Sequence, residues 1–308
     1  MKKELVPKLR FTEFKDSGEW EDIKLEKLCE KITQGGTPDT TKINYWNGNI
    51  QWLTPAEMGK TENYFIYSTN RTITELGLKN CSSILLPINS IIISTRAPIG
   101  HLAINKSNMA INQGCKGLII NKENHYIFLY YILFKNKNEL NDLGAGNTFK
   151  ELSSSILKNF KIIIPLLQEQ KKIADCLSSI DELIDLQTQK VESLKQHKRS
   201  LMQKLFPKEG KILPEWRFPE FRDSGEWEEV KIREVLEYER PEKHIVKNTE
   251  YKKYGIPVLT ANKSFILGYT DELANIYEKI PVIIFDDFTT DKKYVNFPFK
   301  IKSSAIKI

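Results

Sequence analysis

Residues 173–205 read IADCLSSIDELIDLQTQKVESLKQHKRSLMQKL, and no glycine or proline interrupts the chain before Pro207. Apolar residues recur at alternating steps of four and three, a period of 3.5 that is typical of a coiled coil. The spacing predicts a helix of about 50 Å at 1.5 Å per residue. Its predicted apolar seam comprises Ile173, Leu177, Ile180, Ile184, Val191, Leu194, Leu201 and Leu205. A helix this long is not stable alone in water, so the seam should pack on a partner helix; the alternative is an amphipathic helix lying on its own domain.

A repeat lies on both sides of this helix. Residues 7–30 read PKLRFTEFKDSGEWEDIKLEKLCE, and residues 214–237 read PEWRFPEFRDSGEWEEVKIREVLE, a shift of 207 residues. Both stretches contain DSGEW, and their aromatic residues align, which makes chance similarity between two linkers the weaker interpretation. The period is far too long for a solenoid, so it predicts two copies of one domain.

The helix and the repeat divide the chain into three parts. We predict a first domain at residues 1–165, the long helix at residues 166–207, and a linker with a partial second domain at residues 208–308. Only 95 residues follow from Pro214 to Ile308, fewer than one period of the repeat. The second copy is therefore expected to be incomplete, and residues 214–308 to be only marginally ordered.

Local patterns place the first domain in the mixed α/β (α+β) class. Residues 20–33 resemble a short strand followed by an amphipathic helix, with Leu25, Leu28, Cys29 and Ile32 on one face. Residues 125–143 are predicted to be helical. Strands are predicted at Ser90–Thr95, His101–Asn105, Lys116–Asn121 and Lys161–Pro165.

The composition excludes several classes of protein. Hydrophobic residues make up 40% of the 308 residues and charged ones 28%, which indicates folded cores. The four cysteines form no C-x-x-C pair, which argues against a disulfide framework or a zinc site and suits a reducing compartment. No signal peptide and no apolar run of about 20 residues is visible, so we predict a cytoplasmic chain that does not insert into membranes.

The basic charge is concentrated in the first domain. The net charge is +6 overall, and in residues 31–122 basic residues outnumber acidic ones by nine to four. Lysine and arginine neutralise phosphates, while asparagine, glutamine and arginine can pair with base edges. The candidate DNA contacts are Lys60, Arg71, Arg96, Asn112, Gln113 and Lys116. The alternatives are a solvated lysine-rich surface, an Arg96 that braces its turn, and turn hydrogen bonds for Asn112 and Gln113.

Catalytic and metal-binding motifs are not found in the sequence. There is no Walker loop, no G-x-S-x-G and no set of histidines at metal-ligand spacing. Asp39 with Glu57 and Lys60 resembles a magnesium nuclease motif, but the spacing is one residue too long. The sequence therefore predicts a binding protein without catalytic activity, metal or cofactor of its own.

Several motifs resemble the specificity subunits of type I restriction-modification systems. They are QGGTPD (34–39), YW (45–46), WLTPA (52–56), STRAPIG (94–100), NQG (112–114), GNTFKELS (146–153) and IPLLQEQKKIADCLSSID (164–181), with the two DSGEW segments. The last long motif is the most specific of them.

This resemblance implies two target recognition domains, each reading half of a split sequence in double-stranded DNA. Each domain is followed by a helix, and the two helices pack antiparallel. The implied partners are adenine-specific DNA methyltransferase (M) subunits and restriction/translocase (R) subunits. S-adenosylmethionine, ATP and magnesium would belong to those partners.

The chain departs from this family pattern because it contains one long helix and only part of a second domain. Two outcomes are open: a homodimer through the helix that reads a palindromic split site, or a truncated or silent form. The alternative function is an interaction protein that binds a methyltransferase or another specificity subunit through its coiled coil, without DNA specificity of its own.

Overall fold

The computed structural model of this protein describes residues 5–59, 64–96, 98–145, 151–262 and 264–308. It contains two compact units, residues 1–193 and 194–308, and the boundary between them lies inside the long helix. This helix extends over Leu167–Leu205, six residues further towards the N-terminus than the predicted heptad pattern.

The first unit is a mixture of short strands and helices. Its strands are β1 (Glu21–Lys24), β2 (Cys29–Gln34), β3 (Trp46–Leu53), β4 (Phe65–Ile66), β5 (Thr72–Ile73), β6 (Ile91–Ser94), β7 (Leu102–Asn105), β8 (Met109–Ile111), β9 (Cys115–Ile120) and β10 (Lys161–Ile164). Its helices are α1 (Leu25–Leu28), α2 (Pro55–Met58), α3 (Glu75–Lys79), α4 (Tyr126–Lys135), α5 (Lys137–Ala145), α6 (Ser154–Asn159) and the long helix α7 (Leu167–Leu205). The mixed α/β class predicted from the sequence is confirmed.

Three sheets organise these strands. A five-stranded sheet has the order β2-β9-β6-β7-β4, in which only the β4–β7 pair is parallel. A three-stranded sheet has the order β5-β3-β8, and β1 pairs antiparallel with β10. Strand β10 therefore joins the segment before α7 to the beginning of the domain.

Strand β6 lies at the centre of the first unit. Ile91, Ile92 and Ile93 have no exposed surface, as expected for a continuous apolar run that is covered on both faces. Ile91 and Ile93 pack in one core with α4, while Ile92 packs in a second core with Met109. The strand predicted at Ser90–Thr95 is thus present and buried.

Two of the secondary-structure predictions need correction. The helix predicted in the later part of residues 20–33 is only the short α1, which ends at Leu28, and residues 29–34 form strand β2, which pairs with β9. Pairing with a strand more than 80 residues away outweighs a local helical periodicity. The helix predicted at residues 125–143 is divided at Asn136 into α4 and α5.

The second unit begins within α7 and continues with helix α8 (Ile232–Val235). Its strands are β11 (Ile256–Leu259), β12 (Ile266–Thr270), β13 (Val282–Asp286), β14 (Lys292–Val295), β15 (Lys300–Ile301) and β16 (Ile306–Lys307). They form two three-stranded sheets, β12-β11-β15 and β14-β13-β16, around a buried core that includes Leu259, Ile284 and Phe299. The marginal order predicted for residues 214–308 stays a prediction, which limited proteolysis would test.

The sequence repeat is also a repeat of local structure. One 3-10 helix spans Thr12–Phe14 and another spans Pro219–Phe221, at the same shift of 207 residues. Gly18 and Gly225 have φ values of 76° and 73°, a region that glycine adopts without strain. The backbone N–H of each following tryptophan donates to a carbonyl at the same shift: Trp20 to Leu5 at 2.8 Å, and Trp227 to Ile212 at 2.9 Å.

The apolar seam of α7 faces solvent along most of its length. Ile173, near the start of the helix, is partly buried against the first unit's core. Leu177, Ile180, Ile184, Val191 and Leu194 are exposed, whereas Leu201 and Leu205 are half-buried. No second long helix exists in the part of the chain that the structure describes, so the prediction of a partner helix stays a prediction.

Candidate nucleic-acid interface

The start of helix α7 is fixed to the first domain by a buried ion pair. Arg10 donates from Nε to Oε1 of Glu169 at 2.9 Å and from Nη2 to Oε2 at 2.7 Å. Both side chains are almost fully buried. A two-point contact of this kind fixes orientation as well as distance, so the first copy of the repeat is fastened to the first turn of α7.

Gln170, the next residue, joins the helix to the segment before α4. Its amide nitrogen donates to Oδ1 of Asn124 at 3.0 Å and to the carbonyl of Pro165 at 2.9 Å. Its amide oxygen accepts from the backbone N–H of His125 at 2.9 Å. Glu169 and Gln170 of the long motif therefore hold the start of α7 against the first unit through buried hydrogen bonds.

Replacing Gln170 with alanine should destabilise the first unit by about 1–3 kcal/mol, because buried hydrogen-bond partners would lose their bonds. Chemical denaturation followed by circular dichroism measures this loss. The matched control is Gln168→Ala, since Gln168 is exposed on the same helical turn. Equal losses in the two variants would contradict the role assigned to Gln170.

A group of tyrosines makes a further contact between α4 and α7. The hydroxyl of Tyr131 donates to Oδ2 of Asp181 at 2.6 Å and lies 3.2 Å from the hydroxyl of Tyr64. Tyr64 in turn stacks on Tyr130, with ring centroids 4.4 Å apart. Burial is the main cause that raises the pKa of Tyr131 above its usual range. These residues lie beside a cavity of about 350 Å³ and were not singled out by the sequence analysis.

The QGGTP and NQG motifs brace each other. A Cβ added at Gly35 would collide with the carbonyl oxygen of Asn112, so only glycine permits this approach of two loops. The side-chain amide of Asn112 donates to the hydroxyl of Thr37 at 2.9 Å, and that hydroxyl donates to Oε1 of Gln113. Oδ1 of Asn112 accepts from the backbone N–H of Gly114 at 2.8 Å. Asn112 and Gln113 thus make hydrogen bonds that hold their turn, which was the alternative to DNA contact. Their contacts with DNA stay a prediction.

The WLTPA motif begins helix α2 with a capping box. The backbone N–H of Thr54 donates to Oε2 of Glu57 at 3.2 Å, and Pro55 occupies the first turn, where it needs no N–H partner. Oε1 of Glu57 accepts from the backbone N–H of Asn70 at 2.7 Å. Glu57, considered above as part of a nuclease-like motif, therefore holds the loop before β5.

Arg71 lies on an aromatic platform formed by Trp46 and Trp52. The two indoles meet edge to face at 5.0 Å, and the guanidinium carbon of Arg71 lies 3.9 Å from the ring centroid of Trp46. Trp52 is only 2% exposed, and its indole N–H donates to the carbonyl of Gly36 at 2.9 Å. Cation–π contact holds the guanidinium, while the residue itself is exposed. A stacked guanidinium keeps its N–H edge free for a phosphate or a guanine.

Arg96 and Lys116 lie close to one carboxylate. Nε of Arg96 is 3.4 Å from Oε2 of Glu151, and the arginine side chain is 52% exposed. Lys116, on strand β9, is 3% exposed, and burial is the main cause that lowers its pKa. A phosphate contact needs an accessible ammonium group, so we leave Lys116 out of the proposed interface. Lys60 lies outside the described residues.

The structure brings the other candidates to one group of loops. The backbone N–H of Trp52 donates to the carbonyl of Arg71 at 3.1 Å, and that of Asn112 donates to Leu53 at 2.9 Å. Thr95, which precedes Arg96, donates from its backbone to Gly114 at 2.8 Å. We call this group the recognition loops: residues 35–38, 69–71, 95–96 and 112–114.

The aromatic platform was missed by the sequence analysis, although Trp46 and Trp52 occur in two of the motifs quoted. In the sequence, the platform is indicated by two tryptophans six residues apart and an arginine further along the chain. Nothing in that spacing shows that the arginine stacks on them. Only the pairing of β3 with β5 brings Arg71 to this position.

The described part of the chain was also searched for metal sites, disulfides and membrane-spanning helices. It contains no group of three or more His, Cys, Asp or Glu residues that could hold a metal ion. Its four cysteines are free thiols. Among the described helices, none is both long and apolar enough to cross a membrane.

Comparison with known protein families identifies the family to which the first unit belongs. The model of the type I restriction modification DNA specificity domain matches residues 17–196. The chain belongs to this family. The match includes the recognition loops and the first part of α7, so this specificity domain is the unit that carries Arg71 and its platform.

Individual relatives agree with the family. The type I restriction enzyme MjaIX specificity subunit of Methanocaldococcus jannaschii is 39% identical over 183 residues, which are 56% of this chain and 42% of that protein. The EcoR124I/EcoR124II specificity subunit of Escherichia coli is 55% identical over 89 residues, 28% of this chain and 22% of that protein. The chain thus spans less than half the length of these relatives.

A solved structure shares the fold over nearly the whole chain. The crystal structure of a type I restriction-modification system S subunit from M. genitalium aligns with a TM-score of 0.65 at 17% identity. The alignment covers 98% of this chain and 74% of that one. The long helix followed by further strands is therefore an arrangement seen in a specificity subunit.

Proposed function

We propose that this chain is a non-catalytic DNA-recognition subunit that reads one half of a bipartite target through its specificity domain. The observation that carries the proposal is the exposed residue Arg71, whose guanidinium lies against the platform of Trp46 and Trp52. A preorganised, fully charged fork can pair with guanine in the major groove. It loses little side-chain entropy on binding because it is already stacked.

Some residues of the recognition loops hold the loops in position, and others would contact the DNA. Gly35, Thr37 and Asn112 hold the loops together through hydrogen bonds and close packing. Arg71 and Arg96 remain on the surface, where cationic groups can meet phosphates or base edges. In this proposal the rigid loops set the position of Arg71, and Arg71 supplies sequence discrimination.

Helix α7 would supply the geometry of the complex. Its 39 residues span about 58 Å at 1.5 Å per residue, and about 17 base pairs of B-DNA cover the same length at 3.4 Å each. The ion pair of Arg10 with Glu169 and the bond of Tyr131 to Asp181 fix its first half to the specificity domain. A rigid attachment of this kind is what a spacer between half-sites requires.

The proposed partners are double-stranded DNA, methyltransferase subunits and restriction/translocase subunits. This assignment is supported by the names of the relatives, which are specificity subunits of type I restriction enzymes. The exposed seam of α7 supports a second candidate function, an interaction protein that binds another helix without reading DNA. A homodimer through the same seam is one form of that interaction.

Co-expression with an adenine methyltransferase subunit, followed by mapping of methylated adenines, tests the proposal. We expect methylation at a defined sequence that changes or disappears with Arg71→Ala. A complex that forms but methylates no defined sequence would favour the interaction protein. Methylation or cleavage of DNA by the purified chain alone, with methyl donor or metal, would contradict the non-catalytic role.

A further inference from the structure

Residues 39–45 form a mostly exposed loop that leads into Trp46 of the aromatic platform. At its beginning, Oδ1 of Asp39 accepts from the backbone N–H of Thr41 at 2.9 Å and from the hydroxyl of the same residue at 2.7 Å. At its end, the loop closes into a 3-10 helix at Ile43–Tyr45. These local bonds give the loop a defined shape.

Thr74, which follows β5, holds the end of this loop in place. Its hydroxyl donates to the carbonyl of Asn44 at 2.8 Å, and its backbone N–H donates to the carbonyl of Tyr45 at 3.0 Å. Thr74 is also the N-cap of helix α3, where its side chain accepts from the backbone N–H of Gly77 at 3.0 Å. The position of the loop is therefore set by elements outside it.

Trp46 connects this loop to Arg71. Its indole N–H donates to the carbonyl of Asp39 at 3.1 Å, and its ring lies 3.9 Å from the guanidinium carbon of Arg71. Ile43 precedes Trp46 by three residues, which is about 6 Å along a 3-10 helix. One indole thus fixes both the loop and the arginine that we propose to contact a base.

Ile43 is 85% exposed in this loop. A single exposed apolar residue is common on protein surfaces, but Ile43 has cationic neighbours. Lys42 precedes it, with an ammonium 5.7 Å from the ring centroid of Tyr45, and Arg71 is joined to the loop through Trp46. The one acidic residue of the loop, Asp39, is bonded within the loop. An apolar side chain among cations matches an anionic surface that carries isolated apolar groups.

The major groove of DNA has this combination of properties. Its phosphates are anionic, and the apolar group that its base edges present is the C5-methyl group of thymine. An aliphatic side chain that packs on this methyl group gains free energy by removing both from water. Cytosine and uracil lack the methyl group, so the same contact discriminates against them.

We propose that Ile43 is a specificity-determining residue that packs on the C5-methyl group of a thymine in the recognised half-site. The proposal rests on the proposed function, in which Arg71 contacts a guanine in the major groove. Because Ile43 is connected to Arg71 through a single tryptophan, the thymine lies within about four base pairs of that guanine, at 3.4 Å for each pair. Residues 39–45 then join the recognition loops as a contact surface for DNA.

The full chain assembled with methyltransferase subunits, and duplexes that carry the target found by methylation mapping, provide the test. Each thymine of the half-site is replaced in turn by deoxyuridine, which removes only the methyl group. Fluorescence anisotropy should show a loss of affinity of about three- to five-fold at one thymine, as expected for one buried methyl group. Ile43→Ala should bind the unmodified duplex at least three-fold more weakly and should not distinguish thymine from uracil at that position.

Ile88→Ala is the matched control, because Ile88 is an isoleucine of the same unit that is 52% exposed. This variant should keep the wild-type affinity and the wild-type preference for thymine. Both variants should also keep the wild-type midpoint of chemical denaturation, since each removes an exposed side chain. As an independent measurement, mapping of methylated adenines with Ile43→Ala should show a relaxed preference at the same thymine.

The proposal fails if no thymine of the half-site responds to the loss of its methyl group, or if the half-site contains no thymine. It also fails if Ile43→Ala retains the preference for thymine over uracil, or weakens binding to both duplexes equally. In each of these cases the proposed function stands if Arg71→Ala still loses discrimination of the target. The absence of any defined target sequence would instead contradict both.

Discussion

Replacing Trp52 with alanine should lower the free energy of unfolding of the first unit by about 3–5 kcal/mol, the usual cost of deleting a large buried aromatic side chain. Trp52 packs in a core with Ile50, Ile73 and Ala110. The substitution also removes the donor to the carbonyl of Gly36. Chemical denaturation measures the loss, using the first unit's own transition because a chain of two units need not unfold in one step.

Two companion variants separate packing from hydrogen bonding. Trp52→Phe keeps a large ring but loses the indole N–H, so it should cost about 1–3 kcal/mol, because it leaves a buried carbonyl unsatisfied and a small cavity beside it. Trp46→Ala should cost less than Trp52→Ala, since Trp46 is half-buried. A loss below about 1.5 kcal/mol for Trp52→Ala would show that the site collapses around the cavity and that Trp52 is not central to this core.

Replacing Arg71 with alanine should weaken binding to the cognate DNA by about 10–100-fold, as expected for one bidentate contact to a base. Binding to unrelated DNA should change much less, because any single phosphate contact contributes weakly and equally to all sequences. Fluorescence anisotropy with cognate and scrambled duplexes at fixed salt, using the chain assembled with methyltransferase subunits, measures both values.

The controls for Arg71 test charge, fork and position separately. Arg71→Lys keeps the charge but loses the planar fork, so it should recover non-specific binding without recovering discrimination. Arg96→Ala removes another exposed arginine of the recognition loops, one that is paired with Glu151. Equal losses on cognate and scrambled DNA for Arg71→Ala would place Arg71 on the phosphate backbone and remove it as a reader of bases.

Most of the motifs that indicated the family turn out to hold the domain together. Asn112 and Thr37 brace two loops, Glu57 caps a helix, and Glu169 and Gln170 anchor α7. The sequence therefore identified the family through residues whose structural contacts are visible. It could not single out Arg71, because an arginine in a loop is chemically ordinary until tryptophans from another strand lie beneath it.

Local periodicity predicted some elements well and one of them wrongly. The apolar run around Ile92 and the long heptad pattern of α7 correspond to a buried strand and a long helix. Residues 29–34 also fit a helical pattern, yet they form strand β2 because β9 offers them backbone hydrogen bonds. A short apolar pattern does not distinguish a helix from a strand; a distant partner does.

The sequence by itself determined the long helix, the repeat at a shift of 207 residues and the membership of a DNA specificity family. These features are periodic patterns or contiguous motifs, so they can be recognised without knowing which distant residues are in contact. The tertiary structure decided that Lys116 is buried, that Arg71 is displayed on a platform, and that α1 of the first copy of the repeat is buried while α8 of the second is exposed. Each of these depends on which distant segments meet, because apolar residues at corresponding positions of the repeat are buried in one copy and exposed in the other.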